Sequence, residues 1–312
     1  MTLSIVVPVH NSAEILPELW RQIEQSVRPL AVEYELIMVD DGSQDTSWEV
    51  LSRLSGQAGG RIRAVQLTRN YGQHNALLCG IRLARFPVVL TLDDDLQHPP
   101  QKIPQLLRKL EEGYDVVYGT DPQGQHGFLR NLASRITKLA LQSAMGAQIA
   151  RQVSAFRAFR TPLREAFDLY RSPLVSIDVL LTWATTRFAS VPVRANPRLI
   201  GRSGYTFRKL VAHALNMMTG FSVLPLQLAS LVGFAFTVFG LGILLYVVVR
   251  FFLQGDSVPG FPFLASIIAI LSGVQLFALG VIGEYLARMH FRIMDRPPYT
   301  IRHPSPDLPP RP

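Results

Sequence analysis

Apolar positions recur along the first 120 or so residues in two alternating rhythms. Short apolar-rich runs at Leu3–Val9, Glu35–Val39, Ile62–Leu67, Pro87–Leu92 and Asp115–Tyr118 read as strands. Between them apolar residues fall at helical spacing. Leu16, Leu19, Trp20 and Ile23 form the first such set, with Pro17 tolerated in an opening turn. Roughly Thr46–Leu54, Gln73–Leu83 and Ile103–Leu110 follow. Strand–helix alternation implies an α/β fold, a parallel-rich sheet with helices on both faces. In such sheets ligands bind beyond the carboxyl ends of the strands. Pro8–Asn11, Asp40–Ser43, Thr68–Asn70 and Asp93–Gln97 should therefore meet at one crevice.

The rhythm changes after Gly119. Leu129, Leu132, Ile136, Leu139 and Ala140 share one helical face, with Arg130, Ser134, Arg135 and Lys138 largely elsewhere. That pattern fits a surface helix of the domain or an interfacial helix with lipid below it and phosphates beside it. Phe207–Phe221 has the same character. Two long apolar runs follow, Leu224–Leu253 and Phe261–Leu286. Each exceeds the roughly 20 residues that span a bilayer core. The loop Gln254–Gly260 carries no Lys or Arg, whereas Arg202, Arg208, Lys209, Arg288, Arg292 and Arg296 flank the runs. The positive-inside rule then puts both termini in the cytoplasm and the short loop outside. The expected organisation is a catalytic domain over 1–205, an amphipathic interfacial helix over 206–223 and two spans within 224–288. A partly disordered cytoplasmic tail covers 289–312.

Composition narrows the partners. The net charge is +8, from 31 Lys+Arg against 23 Asp+Glu. That excess suits anionic lipid or phosphate substrates. No zinc-finger spacing or RNA-binding signature supports a nucleic acid. The single cysteine, Cys79, excludes an internal disulfide and reads as a buried structural thiol. Met1–Val9 reads directly as a strand, so no secretory signal is expected.

The chemistry sits in the loops. Asp93, Asp94 and Asp95 follow an apolar strand and repel one another unless a cation or donor groups compensate them. Oxygen ligands suit Mg²⁺ or Mn²⁺, which would neutralise a departing diphosphate; the bland alternative is a solvated acidic loop. Asp40 and Asp41 could accept from a nucleobase or ribose, or could simply shape an Asx-type turn with Gly42 and Ser43. Arg69, Asn70 and Gly72 precede a helix N-terminus, a natural phosphate site. His74 alone reads as structural.

Four segments occur in order: Val7-Pro8-Val9-His10-Asn11, Val39-Asp40-Asp41-Gly42-Ser43, Arg69-Asn70-Tyr71-Gly72-Gln73-His74 and Asp93-Asp94-Asp95-Leu96-Gln97. Their spacing resembles that of inverting GT-A glycosyltransferases of family 2. With Asp-Leu-Gln-His-Pro-Pro and the two terminal spans, the chain looks like the polyprenyl-phosphate branch of that family. That branch includes dolichyl-phosphate mannose synthases, bacterial lipid glucosyltransferases and aminoarabinose transferases. The resemblance implies that Pro8, His10, Asn11, Glu14, Asp40, Asp41, Arg69, Asn70, Gly72 and Asp94 bind the nucleotide sugar. It implies that Asp93, Asp95 and Gln97 hold Mg²⁺ or Mn²⁺. Arg130, Ser134, Ser154, Arg157, Arg160, Arg202 and Tyr205 would meet the acceptor phosphate, with Asp93, Asp95, Arg130, Ser154 and Arg157 closest to the chemistry. Arg198, Gly201 and Ser203 match the rest of a loop that closes over the site. The family usually has Tyr at His10, Glu at Ser12, Lys at Gly204 and, in many members, an acid near Ala155. The implied donor is a UDP-sugar, the acceptor undecaprenyl phosphate, the partner surface a membrane, and the assembly a homo-oligomer. A processive polysaccharide synthase would need more spans and a Gln-x-x-Arg-Trp-type motif; a lapsed nucleotide-binding scaffold would not keep Asp93, Asp95 and Gln97 together.

Overall fold

A computed structural model of the chain describes residues 2–30, 33–121, 149, 152–196, 219–254 and 260–302. The strands are β1 (Thr2–Val9), β2 (Glu33–Asp40), β3 (Ile62–Gln66), β4 (Val88–Thr91), β5 (Val116–Thr120), β6 (Arg157–Arg160) and β7 (Phe188–Pro192). The helices are α1 (Leu16–Val27), α2 (Ser47–Gln57), α3 (Gln73–Leu83), α4 (Ile103–Glu111), α5 (Ile177–Ala184), α6 (Leu224–Gln254) and α7 (Phe261–Ile293). The five strands and four helices expected up to Tyr118 are all present, each within a few residues of its expected bounds.

The strands form one seven-stranded sheet in the order β3-β2-β1-β4-β6-β5-β7. β1, β2, β3 and β4 are mutually parallel, as are β5 and β7. β6 departs from the expectation, because it runs antiparallel to both β4 and β5. It returns from the long excursion after Thr120 and enters between strands already laid down, so no βαβ crossover fixes its direction. α5 and β7 had no counterpart in the apolar pattern.

Alternation along the strands fills two cores. Leu3, Ile5, Val7 and Val9 of β1 face α1, α2 and α4 with Leu36 and Met38. Val6, Ile37 and Val39 face α3 and α5 on the other side. β1 thus buries both faces, as a central parallel strand should. α3 lies close on β1: a Cβ at Gly80 would sit 2.3 Å from Val6 Cγ1 and 3.3 Å from Val39 Cγ2. Cys79 beside it is fully buried, and burial pushes its thiol up to about 12.

α6 and α7 hold 31 and 33 residues. At 1.5 Å per residue each outreaches the roughly 30 Å hydrocarbon core. Their most apolar stretches, Leu224–Arg250 and Ile270–Ile293, are unburied by the protein, with mean hydropathy 2.4 and 1.6. They are long and apolar enough to cross a membrane. Both helices outlast the apolar runs, α7 by a further turn and more, which carries Arg288 and Arg292. Tyr285 Oη donates to the carbonyl of Ser222 at 2.6 Å and ties α7 to the entry of α6. The amphipathic segments around 129–140 and 207–218 lie outside the described residues.

The close α3–β1 approach gives a test. Gly80→Ala should destabilise the domain by about 1–3 kcal/mol, the usual cost of overpacking. Thermal unfolding of the detergent-solubilised chain measures it, and an unchanged midpoint would contradict the packing.

Candidate active site

β1 is the point where the strand order turns. The chain moves from β1 outward through β2 to β3, then crosses back to β4 on the other side of β1. At such a switch the loops beyond β1 and β4 splay to opposite faces and leave a crevice. A cavity of about 250 Å³ lies there, lined by Pro8, Val9, His10, Asp41, Asn70, Gly72, Gln73, Asp93, Asp94 and Asp95. Three of the four expected loops therefore meet at this rim in the β1, β2 and β4 positions, and the β3 loop joins through Asn70 and Gly72.

Hydrogen bonds between the loops give the cavity its shape. Asp41 accepts from Tyr71 N at 2.7 Å on Oδ1 and from Gly72 N at 2.8 Å on Oδ2. Burial raises its pKa, and these two amides oppose the shift. Gly42 permits this approach: it has φ +65°, and a Cβ there would stand 2.5 Å from the Arg69 and Asn70 backbone. Asp94 accepts from His10 N at 3.1 Å and Ser12 Oγ at 2.5 Å, and burial raises its pKa also. The His10 ring spans the gap, with Nδ1 3.1 Å from the Asp41 carbonyl and Nε2 3.3 Å from Asn70 Nδ2. Gln73 Nε2 donates to Asp93 Oδ1 at 2.5 Å. Asp95 Oδ1 accepts from Gln97 N at 3.1 Å.

Of the residues expected to meet the nucleotide sugar, Pro8, His10, Asp41, Asn70, Gly72 and Asp94 line the cavity. Asp40 does not. It is fully buried and accepts from Ser43 N at 3.1 Å and Gln66 Nε2 at 3.2 Å, so it builds the turn. Asn11, Glu14 and Arg69 also stand off the cavity wall. Asn11 holds Gln44 N at 2.8 Å, Glu14 is exposed, and Arg69 lies 4.5 Å over the Tyr71 ring.

Asp93 and Asp95 face the cavity, whereas Gln97 is not among its lining residues. Among the described residues no ready-made group of three His, Cys, Asp or Glu ligands exists. Two carboxylates on an open wall nevertheless fit a hard divalent ion that completes its shell with water and substrate phosphates.

The acceptor-side expectations need correction. Arg157 is 1% exposed. Its Nη1 pairs closely with Asp178 Oδ1, and its Nε donates to Thr91 Oγ1 at 3.1 Å. Tyr118 Oη donates to the same Asp178 oxygen at 3.1 Å, and burial raises the phenol's pKa well above its usual value. This guanidinium cements β6 to β4 instead of facing a lipid phosphate. Arg160 pairs with Val88 across the sheet, at the amino end of β4 and away from the crevice, and its guanidinium lies 3.6 Å from Asp115. Ser154 accepts from Phe156 N at 3.2 Å and lies 3.4 Å from His98 Nε2, and it is not among the lining residues of the cavity. Arg130, Ser134, Arg202 and Tyr205, with Arg198, Gly201 and Ser203, lie outside the described residues.

Sequence reasoning passed over two residues. Gln73 lines the cavity as the first residue of α3. His98 stacks on Phe156 at 5.7 Å, its pKa lowered chiefly by burial, with a buried Nδ1 that has no hydrogen-bond partner. His98 lies inside the quoted Asp-Leu-Gln-His-Pro-Pro segment, so the signal was present without a role. A larger cavity, about 360 Å³, lies elsewhere, between α5, the entry of α6 and the end of α7. Its walls are mostly apolar, with Arg288 and Arg292 at its edge. Carboxylates and strand ends belong to the smaller one, which is the chemically equipped site.

Residues 4–167 match the model of glycosyl transferase family 2. The chain belongs to that family and is a glycosyltransferase, and its sheet is parallel-rich as expected. It is 35% identical over 301 residues to the undecaprenyl-phosphate 4-deoxy-4-formamido-L-arabinose transferase of Pseudomonas fluorescens (strain SBW25), covering 96% of this chain and 88% of that one. The enzyme of the same name from Enterobacter sp. (strain 638) is 34% identical, at 96% and 92% coverage. Among solved structures, glucosyl-3-phosphoglycerate synthase from Mycobacterium tuberculosis in complex with Mn²⁺, UDP and product superposes with a TM-score of 0.49. It is 21% identical and covers 70% of this chain and 77% of its own. S. aureus TarS 1-349 with UDP-GlcNAc gives 0.48 at 19% identity and 71% coverage of each chain. Both likenesses are too distant to carry a ligand across.

The buried pair yields a test. Asp178→Ala leaves the Arg157 guanidinium buried without its partner and should cost about 3–5 kcal/mol. Arg157→Met with Asp178→Leu should recover most of that loss. A double change as damaging as the sum of its parts, in chemical denaturation, would show that the pair is not the cause.

Proposed function

We propose that the protein transfers a sugar from a nucleotide sugar to polyprenyl phosphate at the cytoplasmic face of a membrane. The observation that carries this reading is near-end-to-end similarity, spans included, to transferases that bear undecaprenyl phosphate in their names. The donor we favour is a UDP-sugar, and the relatives' 4-deoxy-4-formamido-L-arabinose is the first sugar to try. The acceptor we favour is undecaprenyl phosphate. The intended division of the chain is a catalytic part over 1–205, an interfacial segment over 206–223, two spans within 224–288 and a cytoplasmic tail. A homo-oligomer is part of the same reading.

His10, Asp41, Asn70 and Gly72 would receive the nucleotide, because they close the β1 and β2 side of the cavity. Asp93 and Asp95 would hold Mg²⁺ or Mn²⁺ against the diphosphate, and such an ion stabilises the departing nucleoside diphosphate as charge develops. Gln73 holds Asp93 in place and Gln97 N holds Asp95. A phosphate monoester has a second pKa near 6, so the acceptor arrives largely dianionic and attacks without a general base. The chain's task is to place that oxygen in line with the leaving group. A single displacement with inversion follows. The mostly apolar cavity lined also by Arg288 and Arg292 would suit a lipid phosphate approaching from α7. With Arg157 committed to Asp178, Arg130, Ser134, Ser154, Arg202 and Tyr205 remain the proposed acceptor-phosphate contacts.

Purified full-length protein with polyprenyl phosphate, a panel of UDP-sugars and Mg²⁺ or Mn²⁺ tests the reading. Product should appear in the lipid extract with one donor, EDTA should abolish it, and Asp95→Asn should reduce it by about a hundredfold or more while the fold persists. Transfer that survives chelation would remove the metal role; no lipid-linked product with any donor would remove the function. Orientation has its own assay. A cysteine at Ser257 should react with an impermeant thiol reagent on intact cells and one at Ser55 should not; the reverse pattern would refute the cytoplasmic placement.

A further inference from the structure

The chain after α7 returns to the sheet. Asp295 takes φ +48° and pairs with Arg171 at 2.6 Å, and Pro298 is buried. The next residues lie along β3, the outermost strand on that side. Thr68 N donates to the Thr300 carbonyl at 2.9 Å, and Arg302 N donates to the Gln66 carbonyl at 2.8 Å. Leu67 and Ile301 form an antiparallel bridge between them. Tyr299 and Ile301 pack against the core shared with α3, and the Arg82 guanidinium lies 5.8 Å from the Tyr299 ring centre.

What these residues hold is the root of the β3 loop. Thr68 Oγ1 lies 2.9 Å from Tyr71 Oη. The Tyr71 ring carries the Arg69 guanidinium at 4.5 Å. The Tyr71 and Gly72 amides grip Asp41, which lines the cavity with Asn70 and Gly72. A loop anchored at one end only would pay conformational entropy on every binding event, about 1–2 kcal/mol for each residue ordered. Anchoring it beforehand removes that cost from the ligand.

We propose that Tyr299–Arg302 is a positioning strand for the donor side of the site. It fixes Thr68–Gly72, and through that loop Asp41, and it links the end of the second span to the nucleotide pocket. The inference rests on the donor reading above. The plain alternative is an edge cover that protects β3 from pairing with other chains and adds only stability. The two differ in what a lesion in the strand changes.

Arg302→Pro deletes the N–H that Gln66 accepts and touches no residue of the cavity. Full-length protein in nanodiscs, with UDP and Mn²⁺ as probe, gives the nucleotide affinity by calorimetry and the Tyr71 and Gly72 amides by hydrogen exchange. Losing one backbone hydrogen bond should weaken UDP binding roughly tenfold and speed exchange at both amides by a similar factor. KM for polyprenyl phosphate should stay at the parental value. If Arg302→Pro does not fold, Ile301→Ala loosens the strand where it packs on the core and bridges Leu67, touches no cavity residue, and is read by the same two quantities. Unchanged exchange at Tyr71 and Gly72, or a lowered melting temperature with unchanged UDP affinity, would overturn the proposal. If the parental chain binds no UDP, the donor reading fails by itself, and amide exchange in the variant still decides whether the strand fixes the loop.

Discussion

The crevice depends on one carboxylate. Asp41 stands just past β2, is 3% exposed, and spends both oxygens on the backbone amides of Tyr71 and Gly72. It thereby joins the loop after β2 to the loop after β3. Nothing bulkier than Gly42 fits beside it, because the Arg69–Asn70 backbone passes within 2.5 Å of where a Cβ would stand. Asp94 does the same for the loops after β4 and β1, through His10 N and Ser12 Oγ. Buried carboxylates repel one another and resist desolvation; amide donors on each make the ionised forms tolerable. The remaining acids, Asp93 and Asp95, stay on the cavity wall, where a substrate-borne cation could meet them.

A second anchor sits behind that wall. Arg157 and Asp178, joined by Tyr118 and Thr91, lock β6 between β4 and β5 at the crevice end of the sheet. Thr91 Oγ1 in turn donates to the Ala155 carbonyl at 2.7 Å, so the segment from Ser154 is held to the strand that delivers Asp93. An arginine that looks like a phosphate ligand in the sequence is here a structural cation. A buried guanidinium needs an ionised partner, and it found one in α5.

The long apolar helix α7 and the edge of the sheet are connected by chain geometry. α7 ends, Asp295 pairs with Arg171, and the following residues join the edge of the sheet at β3. The domain is thus held to α7 at its far edge, while Tyr285 ties α7 to the entry of α6. The pairing beyond α7 therefore fixes the outer edge of the sheet relative to the end of that helix.

The sequence by itself determined the period-2 strands, the helices between them, the loops that carry chemistry and the two long apolar helices. Each follows from local patterning: apolar alternation selects the element, and the carboxyl-end rule places the loops. Sequence could also see that Asp40, Asp41, Asp93, Asp94 and Asp95 belong near one site. Only the tertiary structure decided which of them face the cavity and which hold the scaffold. Asp40 and Asp41 are adjacent and chemically identical, yet Asp40 closes β2 inside the interior and Asp41, one residue past the strand, reaches the cavity wall. The direction of β6, the burial of Arg157 against Asp178 and the return of Thr300 to Thr68 all join residues far apart in the chain. Such partners are set by how the sheet closes, and no periodicity within one segment records them.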